Sequence, residues 1–411
     1  MDALLTASAE LGETPGTIVM LIDETTGADA IVAHKKVLPN IDALDRPDAR
    51  LVATRNSPSE TLGRVVMANF SLPQMPREPW VDADGASDVF ERFRKADPSQ
   101  PTAYILWEPY VSRALDLPGT HVLLDSSKFR GYIVDVLVVQ RRFLLDHEDI
   151  VRAVVEEYLR EAHRARQNQN GWKSLVAQDA RSLGEPLSAS QVDRLVDGVW
   201  WKTTQENYAQ LGLIKPGSSQ ADLQPLSRVI ANIARVLEKT GAIDRDPTGG
   251  QPASLYYDGI LAALAKDDFH PAAIRPASGD DTEAPRPTTE AGPLDDKAWE
   301  RLSPVGTLEV ANLVFARGTA RLTRNSERTL NRLIETLDTW PHYYLVVTGQ
   351  ARQIGDGEAN RALAQRRAEA AADYLTAHGA TPHRVRAQTQ DELGTGGSAQ
   401  TVTFTLGQTP F

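Results

Sequence analysis

The chain has 411 residues, a net charge of −11 at pH 7, 41% apolar and 24% charged residues, and no cysteine. This length suffices for two or more domains with sizeable apolar cores. The acidic balance argues against a general nucleic-acid binder, and the missing thiols exclude disulfides, thiolate metal sites and cysteine nucleophiles.

The beginning of the chain lacks the features of an export signal. Residues 1–5 contain no basic group and no long apolar run, so no signal peptide is visible. No stretch of about 18 apolar residues occurs, so no transmembrane segment is predicted.

Residues 1–275 alternate strand-length apolar runs with helix-length amphipathic stretches, which predicts an α/β architecture. The predicted strands are 17–22, 30–33, 50–54, 103–106, 121–124 and 133–139. The predicted helices are 59–70, 86–95, 148–166, 188–200, 207–211 and 223–240.

A linker is predicted at 276–296, between domains at 1–275 and 297–411. Residues 276–293 contain four prolines and no Val, Ile, Leu, Met or aromatic residue. Such a segment buries too little apolar surface to offset its ordering entropy, so we expect disorder.

The domain at 297–411 is expected to be an α+β module of the order β-α-β-α-β. Its predicted strands are 313–315, 344–348 and 401–406. Its predicted helices are one that Thr323 caps and one over 360–378 that Gly379 ends.

A helix-start signal follows the strand at 50–54. Ser57 suits the N-cap, Pro58 the first helical position, and Glu60 completes a capping box. Helix N-termini also favour anions, so Ser57 and Ser59 are candidate solute contacts as well as capping residues. Glu60 weakens the anion alternative, because its carboxylate already faces the positive end of the helix.

A second candidate segment ends the strand at 103–106. Trp107, Glu108 and Tyr110 lie where open α/β sheets usually bind ligands. The alternative is a packed aromatic corner in which Glu108 caps the next helix. The acidic run at 23–29 fits no calcium-loop spacing, so no metal is predicted there.

Signatures of catalysis are missing from the sequence. The eight histidines show no metal-ligand spacing, and no phosphate-binding loop or nucleophile motif occurs. The glycines at 394–397 are typical of a turn. We therefore predict neither an enzyme nor a cofactor.

The segment 347–375 resembles the OmpA-like peptidoglycan-binding domain. The residues that match the family pattern are Gly349, Gly355, Asn360, Leu363, Ala364, Arg367, Ala368, Tyr374 and Leu375. Phe315 and the helix after Leu322 extend the resemblance upstream.

In that family an Asp and an Arg hold the diaminopimelate of the cell-wall peptide. The resemblance places the Arg at Arg367, with Asn360 supporting the loop, whereas Arg352 stands at the Asp position. Asp356 is the candidate replacement carboxylate. Peptidoglycan is thus an expected partner, with a packing or docking module as the alternative.

The N-terminal region resembles the solute-binding proteins of ABC importers in the nitrate, taurine and thiamine-precursor group. The segments that carry the resemblance are 22–29, 57–60, 106–110, 125–127, 133–139, 207–208 and 211–213. It implies two α/β lobes joined by crossing strands, one of them supplied by residues 40–129. The other lobe is expected to be incomplete at its N-terminal side, since only sixteen residues precede the first strand.

Together the resemblances imply a periplasmic, cell-envelope receptor for a small solute, expected to be anionic. Its partners would be peptidoglycan, or another envelope component, and an ABC permease. The candidate solute contacts are Ser57, Ser59, Trp107, Glu108 and Tyr110. The alternative is a non-transporting envelope scaffold with a degenerate receptor fold.

Overall fold

The N-terminal region of the protein contains two β-sheets with helices packed on them. The computed structural model describes residues 1–215, 223–272, 290–351, 356–389 and 402–410. The strands of this region are β1 (Thr17–Thr25), β2 (Asp29–His34), β3 (Arg50–Thr54), β4 (Trp80–Ala83), β5 (Thr102–Trp107), β6 (Thr120–Asp125), β7 (Val134–Val139) and β8 (Val199–Trp201). Its helices are α1 (Asp2–Leu11), α2 (Pro58–Asn69), α3 (Gly85–Arg94), α4 (Tyr110–Leu115), α5 (Arg141–Asp146), α6 (Glu148–Gln167), α7 (Gln169–Ser182), α8 (Ala189–Asp197), α9 (Thr204–Gln210), α10 (Leu226–Lys239) and α11 (Gly259–Lys266).

The larger sheet has five strands in the order β4–β3–β5–β2–β6. β3 is parallel to β4 and β5, whereas β2 is antiparallel to β5 and β6. After β3 the chain adds β4 on one side and then returns to add β5 on the other. In open α/β sheets, ligands usually bind outside the carboxyl ends of the strands at such a reversal, which here are those of β3 and β5.

Helices cover both faces of the five-stranded sheet. Leu62, Val65 and Val66 of α2 recur at helical spacing and are fully buried in the main core, together with residues of α1 and α10. On the opposite face, Val89 and Phe93 of α3 pack with residues of α4. Both faces of the sheet are therefore covered by helices, so a ligand can approach the sheet only at its edges.

The smaller sheet has the order β7–β1–β8, and all its strands are antiparallel. Val19 and Met20 of β1 pack against α5, α6, α9 and α11. Because β1 leads into β2 and β6 leads into β7, two connections cross between the sheets. The predicted two-lobed α/β class is confirmed, and within the described residues the second lobe has a three-stranded sheet.

One N-terminal prediction is wrong at its end. The helix predicted over 188–200 stops at Asp197, and Val199–Trp201 forms strand β8. Gly198 separates the two elements, and a Cβ there would lie 2.9 Å from the Ala28 backbone nitrogen. This close approach lets β8 pair with the end of β1.

The C-terminal region is an α+β domain whose four-stranded sheet has the order β11–β10–β12–β9. Its elements are α12 (Asp296–Glu300), β9 (Ser303–Thr307), α13 (Arg324–Leu337), β10 (Tyr344–Gly349), α14 (Gly357–Ala377), β11 (Val385–Thr389) and β12 (Val402–Gln408).

Two predictions for this domain need correction. The segment 313–315 is not a strand of the sheet, although Phe315 forms an isolated bridge with Leu322. The outer strand is β9, which contains Pro304 and Gly306, residues that strands usually disfavour. β11 adds a further strand that the β-α-β-α-β expectation lacked.

The C-terminal domain packs directly on the five-stranded lobe. The Trp340 ring meets the rings of Phe70 and Phe129 at centroid distances of 5.7 and 5.6 Å. The backbone of Thr307 accepts a hydrogen bond from the Ser71 N–H at 2.8 Å. Apolar residues of the two parts form one continuous core. Residues 276–289 of the predicted linker lie outside the described residues, so the linker stays a prediction.

Candidate functional site

The segment after β3 begins helix α2 without the predicted capping box. Ser57 occupies the N-cap position in extended conformation, but its hydroxyl donates to the Thr54 carbonyl at 2.6 Å. Glu60 accepts from the Asn56 N–H at 2.7 Å rather than from Ser57. The Ser59 side chain is fully buried, and its hydroxyl has no hydrogen-bond partner among the described residues.

Glu60 is the centre of a buried charge network at this helix start. Its carboxylate lies 2.6 Å from the Arg64 guanidinium and 3.1 Å from that of Arg55. Both guanidinium groups also lie over the Trp80 ring, at 5.2 and 5.3 Å. Burial opposes ionisation of Glu60, but the bonds from Asn56 and Arg64 outweigh it and lower its pKa. The helix N-terminus therefore already carries a paired carboxylate.

The polar side chains of the segment after β5 are bonded to neighbouring residues. The buried Glu108 carboxylate accepts from the Ser112 N–H at 3.2 Å and from its hydroxyl at 2.6 Å. The Tyr110 hydroxyl donates to Glu185 at 2.7 Å, and Arg194 lies 3.6 Å from Glu108. Glu108 thus holds the first turn of α4, as the capping alternative expects.

The candidate solute contacts meet at one place in the fold. Ser57 and Ser59 follow β3, whereas Trp107 ends β5, its parallel neighbour, and Glu108 and Tyr110 follow it. We call this place the switch-point edge. Glu185 and Arg194, from the end of α7 to α8, lie against it, a contribution that no sequence pattern predicted.

The acidic run at 23–29 is a buried part of the connection between the sheets. Glu24 is paired with the fully buried Lys202 ammonium at 2.7 Å. Burial, with Asp135 nearby, raises the pKa of Asp23 and of Asp29 to about 7. Throughout the described ranges, no group of three or more acidic or histidine side chains is placed to hold a metal ion.

Sequence reasoning missed an aromatic pocket on the second lobe. It lies among α6, α7, α8 and β8, and its aromatic residues are Tyr158, Trp172, Trp200 and Trp201. We call it the aromatic pocket. The pair of tryptophans at 200–201 was the one sequence feature that indicated an aromatic site here. The predicted helix over 188–200 placed Trp200 on a helix, so the pocket was not predicted.

Arg367 of α14 is positioned by the segment around Phe315. Its Nε–H donates to the Thr319 carbonyl at 3.0 Å, and its guanidinium lies 4.8 Å from the Phe315 ring centroid. Burial lowers the pKa of Arg367. The helix α14 runs close to β10 at Ala364, since a Cβ on Gly349 would lie 2.2 Å from the Ala364 carbonyl oxygen.

The other candidate wall-binding residues lie at the beginning of α14. The Asp356 carboxylate accepts from the N–H groups of Glu358 and Ala359 and so caps the helix. Eleven residues separate Asp356 from Arg367, about 16 Å along the helix axis. Asn360 lies half-buried in the first turn. Arg352, Gly355 and the glycines at 394–397 lie outside the described residues.

The C-terminal domain has recognisable relatives. Residues 314–401 match the OmpA family. The peptidoglycan-associated lipoprotein of Brucella melitensis is 33% identical over 81 residues, which are 20% of this chain and 48% of that protein. The corresponding lipoprotein of Rhizobium meliloti is 32% identical over 74 residues, or 18% and 42% of the two chains. This chain spans about half the length of these curated relatives.

Solved structures resemble the N-terminal region. The alkanesulfonate-binding protein SsuA of Xanthomonas axonopodis, bound to MOPS, aligns with 62% of this chain and 77% of its own at 15% identity and a TM-score of 0.43. The aliphatic sulphonate binding protein SsuA of Escherichia coli aligns with 62% of this chain and 73% of its own at 13% identity and a TM-score of 0.43.

None of the described helices has the length and apolar character to cross a membrane. The chain thus contains a domain that matches the OmpA family, over residues 314–401.

Proposed function

We propose that the protein is a periplasmic, non-enzymatic solute-binding receptor that attaches to peptidoglycan through its OmpA-family domain. The position of Arg367 supports the attachment most directly, because its guanidinium is held in place by Thr319 and Phe315. A positioned guanidinium favours a carboxylate partner through paired, charge-assisted hydrogen bonds. The cell-wall peptide supplies such carboxylates.

Co-sedimentation with purified peptidoglycan sacculi tests the attachment. We expect Arg367→Ala to abolish co-sedimentation, and Arg366→Ala, on the exposed side of the same helix, to leave it unchanged. Arg352→Asp should strengthen it, because that change restores the carboxylate of the family pattern. Equal sedimentation of the Arg367 and Arg366 variants would remove Arg367 from this role.

The proposed solute site is the switch-point edge, with Ser57, Ser59, Trp107, Glu108 and Tyr110 as its contacts. Its position at a strand-order reversal supports this assignment, and so does the buried Ser59 hydroxyl, for which the described part of the chain offers no hydrogen-bond partner. A bound solute would be delivered to an ABC permease, a partner inferred from the resemblance alone.

A ligand screen by thermal unfolding tests the receptor function. A solute that binds only the folded state raises the melting temperature. We expect a rise with one of phosphate, nitrate, a sulfonate or a small amine, and its loss in Ser59→Val. The absence of any rise would instead favour a scaffold, an alternative that the internal pairing of Glu60 and Glu108 supports.

A further inference from the structure

The aromatic pocket is a concave site of a size that suits a small organic molecule. Its volume is about 710 Å³, within the range of known small-molecule sites. Ala162 and Ala165 of α6 line it between larger residues. Because alanine is small, these positions leave the space that longer side chains would fill.

Three aromatic rings form the walls that a ligand would contact. Trp172 of α7 and Trp201 of β8 lie 5.5 Å apart between centroids, with their planes at 88°. Tyr158 of α6 adds a third ring, and its buried hydroxyl has no hydrogen-bond partner among the described residues. Perpendicular aromatic walls present ring faces from two directions at once.

Trp200 contributes less to this lining, because it is already engaged. Its indole N–H donates to Glu206 at 3.1 Å. The Lys202 ammonium lies 3.4 Å from its ring centroid and is itself paired with Glu24. The pocket thus lies beside an existing contact between an ammonium group and an indole ring.

The walls of the pocket carry more negative than positive groups. Glu161 and Asp197 line it against the single guanidinium of Arg166. Glu161 is also paired with Arg164 on the outer surface of α6. Burial raises the pKa of the Tyr158 hydroxyl to about 12, and the nearby Asp23 adds to that rise whereas Arg166 opposes it.

The helices that enclose the pocket are tied together by side chains outside it. Lys173 of α7 is paired with Asp193 of α8 at 2.7 Å. The Asn168 side chain caps α7 by accepting from the Gly171 N–H at 3.0 Å. These bonds hold Trp172 near Trp201 without using any group inside the pocket.

We propose that the aromatic pocket binds a small organic cation, an alkylated ammonium group on a compact apolar body. Aromatic faces attract such cations through the ring quadrupole, and the attraction strengthens when the cation leaves water. The carboxylates of Glu161 and Asp197 complement the charge. An organic anion would meet these carboxylates instead, and a neutral molecule would gain only apolar burial.

Three probes of matched shape and different charge test the proposal on the full chain. They are choline, 3,3-dimethylbutan-1-ol and 3,3-dimethylbutanoate, with binding measured by calorimetry and tryptophan fluorescence. We expect choline to bind at least about tenfold more tightly than the neutral alcohol, and the anion to bind least. Equal affinity for choline and the alcohol, tighter binding of the anion, or no choline binding at millimolar concentration would overturn the proposal.

Variants place the binding in the pocket. Trp201→Leu removes a wall, and Ala162→Leu fills the space without removing any group, so both should weaken choline binding about tenfold or more. Trp299→Leu, in the C-terminal domain, is the matched control and should bind normally. Choline affinity that neither pocket variant changes would refute the site. Because the switch-point edge and Arg367 are not altered, solute binding there and co-sedimentation with sacculi report separately on the proposed function.

Discussion

The switch-point edge and the aromatic pocket differ in what their polar groups already do. At the edge, Glu60 and Glu108 are buried and bonded to neighbouring residues. In the pocket, the Tyr158 hydroxyl is buried without a partner among the described residues, and four aromatic residues line the walls. Substitution of Glu60 should therefore change mainly stability, whereas substitutions in the pocket should change mainly binding.

The largest expected effect comes from Asp29, which lies where β1 passes into β2, between the two sites. Its pKa is about 7 in the folded protein, against an ordinary value near 3.8, first because it is buried and also because Asp135 is near. Between these values the folded state holds a proton that the unfolded state has lost. The free energy of unfolding should therefore fall as the pH rises from about 4 to 7, by up to about 4 kcal/mol for this group.

Asp29→Asn tests this expectation, because the amide cannot ionise. Denaturant unfolding at a series of pH values should show a flatter profile for the variant and a stability gain at pH 8. Asp97→Asn, at an exposed position, serves as the control and should follow the wild-type profile between pH 5 and 8. A variant profile that still falls as steeply as the wild type would contradict the assignment to Asp29.

The next effect tests whether the edge is a structural network. Glu60→Gln leaves the buried Arg64 guanidinium without its carboxylate. We expect a loss of about 3 kcal/mol in the free energy of unfolding, measured by urea titration. Glu91→Gln, which breaks an exposed pair with Arg94 on α3, should leave the free energy of unfolding close to that of the wild type, because solvent screens exposed pairs. Similar small losses for both variants would show that Glu60 is available for another partner.

A smaller effect on stability is expected in the aromatic pocket. Trp201 is half-buried on a short strand, so Trp201→Leu should cost only about 1 kcal/mol in thermal or denaturant unfolding. The same variant should lose most choline binding. A stability loss as large as that of Glu60→Gln would mean that the ring is part of the core, and the contrast between the two sites would disappear.

Much of the fold could be predicted because its signals are local. β3 occupies 50–54 as predicted, and α14 agrees with the predicted helix except for its first turn. Apolar periodicity and capping residues encode such elements directly. β9 and β8 were missed because one contains Pro304 and Gly306, and the other depends on the close approach of Gly198 to Ala28.

The sites were harder to predict because they depend on contacts that are distant in sequence. The sequence indicated that Ser57 and Tyr110 each lie just after a strand, and the parallel pairing of β3 with β5 brings them to one edge. It did not indicate that Glu185 and Arg194 would bond there. The aromatic pocket needs rings from α6, α7 and β8 together, which no local pattern encodes.

The smallest expected effect comes from Tyr110→Phe, which tests how firmly the α7–α8 connection covers the edge. The variant removes the hydrogen bond from the Tyr110 hydroxyl to the exposed Glu185 carboxylate, at a cost under about 1 kcal/mol. Amide hydrogen exchange at 183–190 should become faster, because one tie between this segment and the edge is lost. Tyr257→Phe is the matched control, since that hydroxyl donates to Glu148 at 2.9 Å elsewhere on the surface. Unchanged exchange at 183–190 would mean that the pair of Glu185 with Arg113 and the contact of Arg194 with Glu108 hold the segment without the Tyr110 hydroxyl.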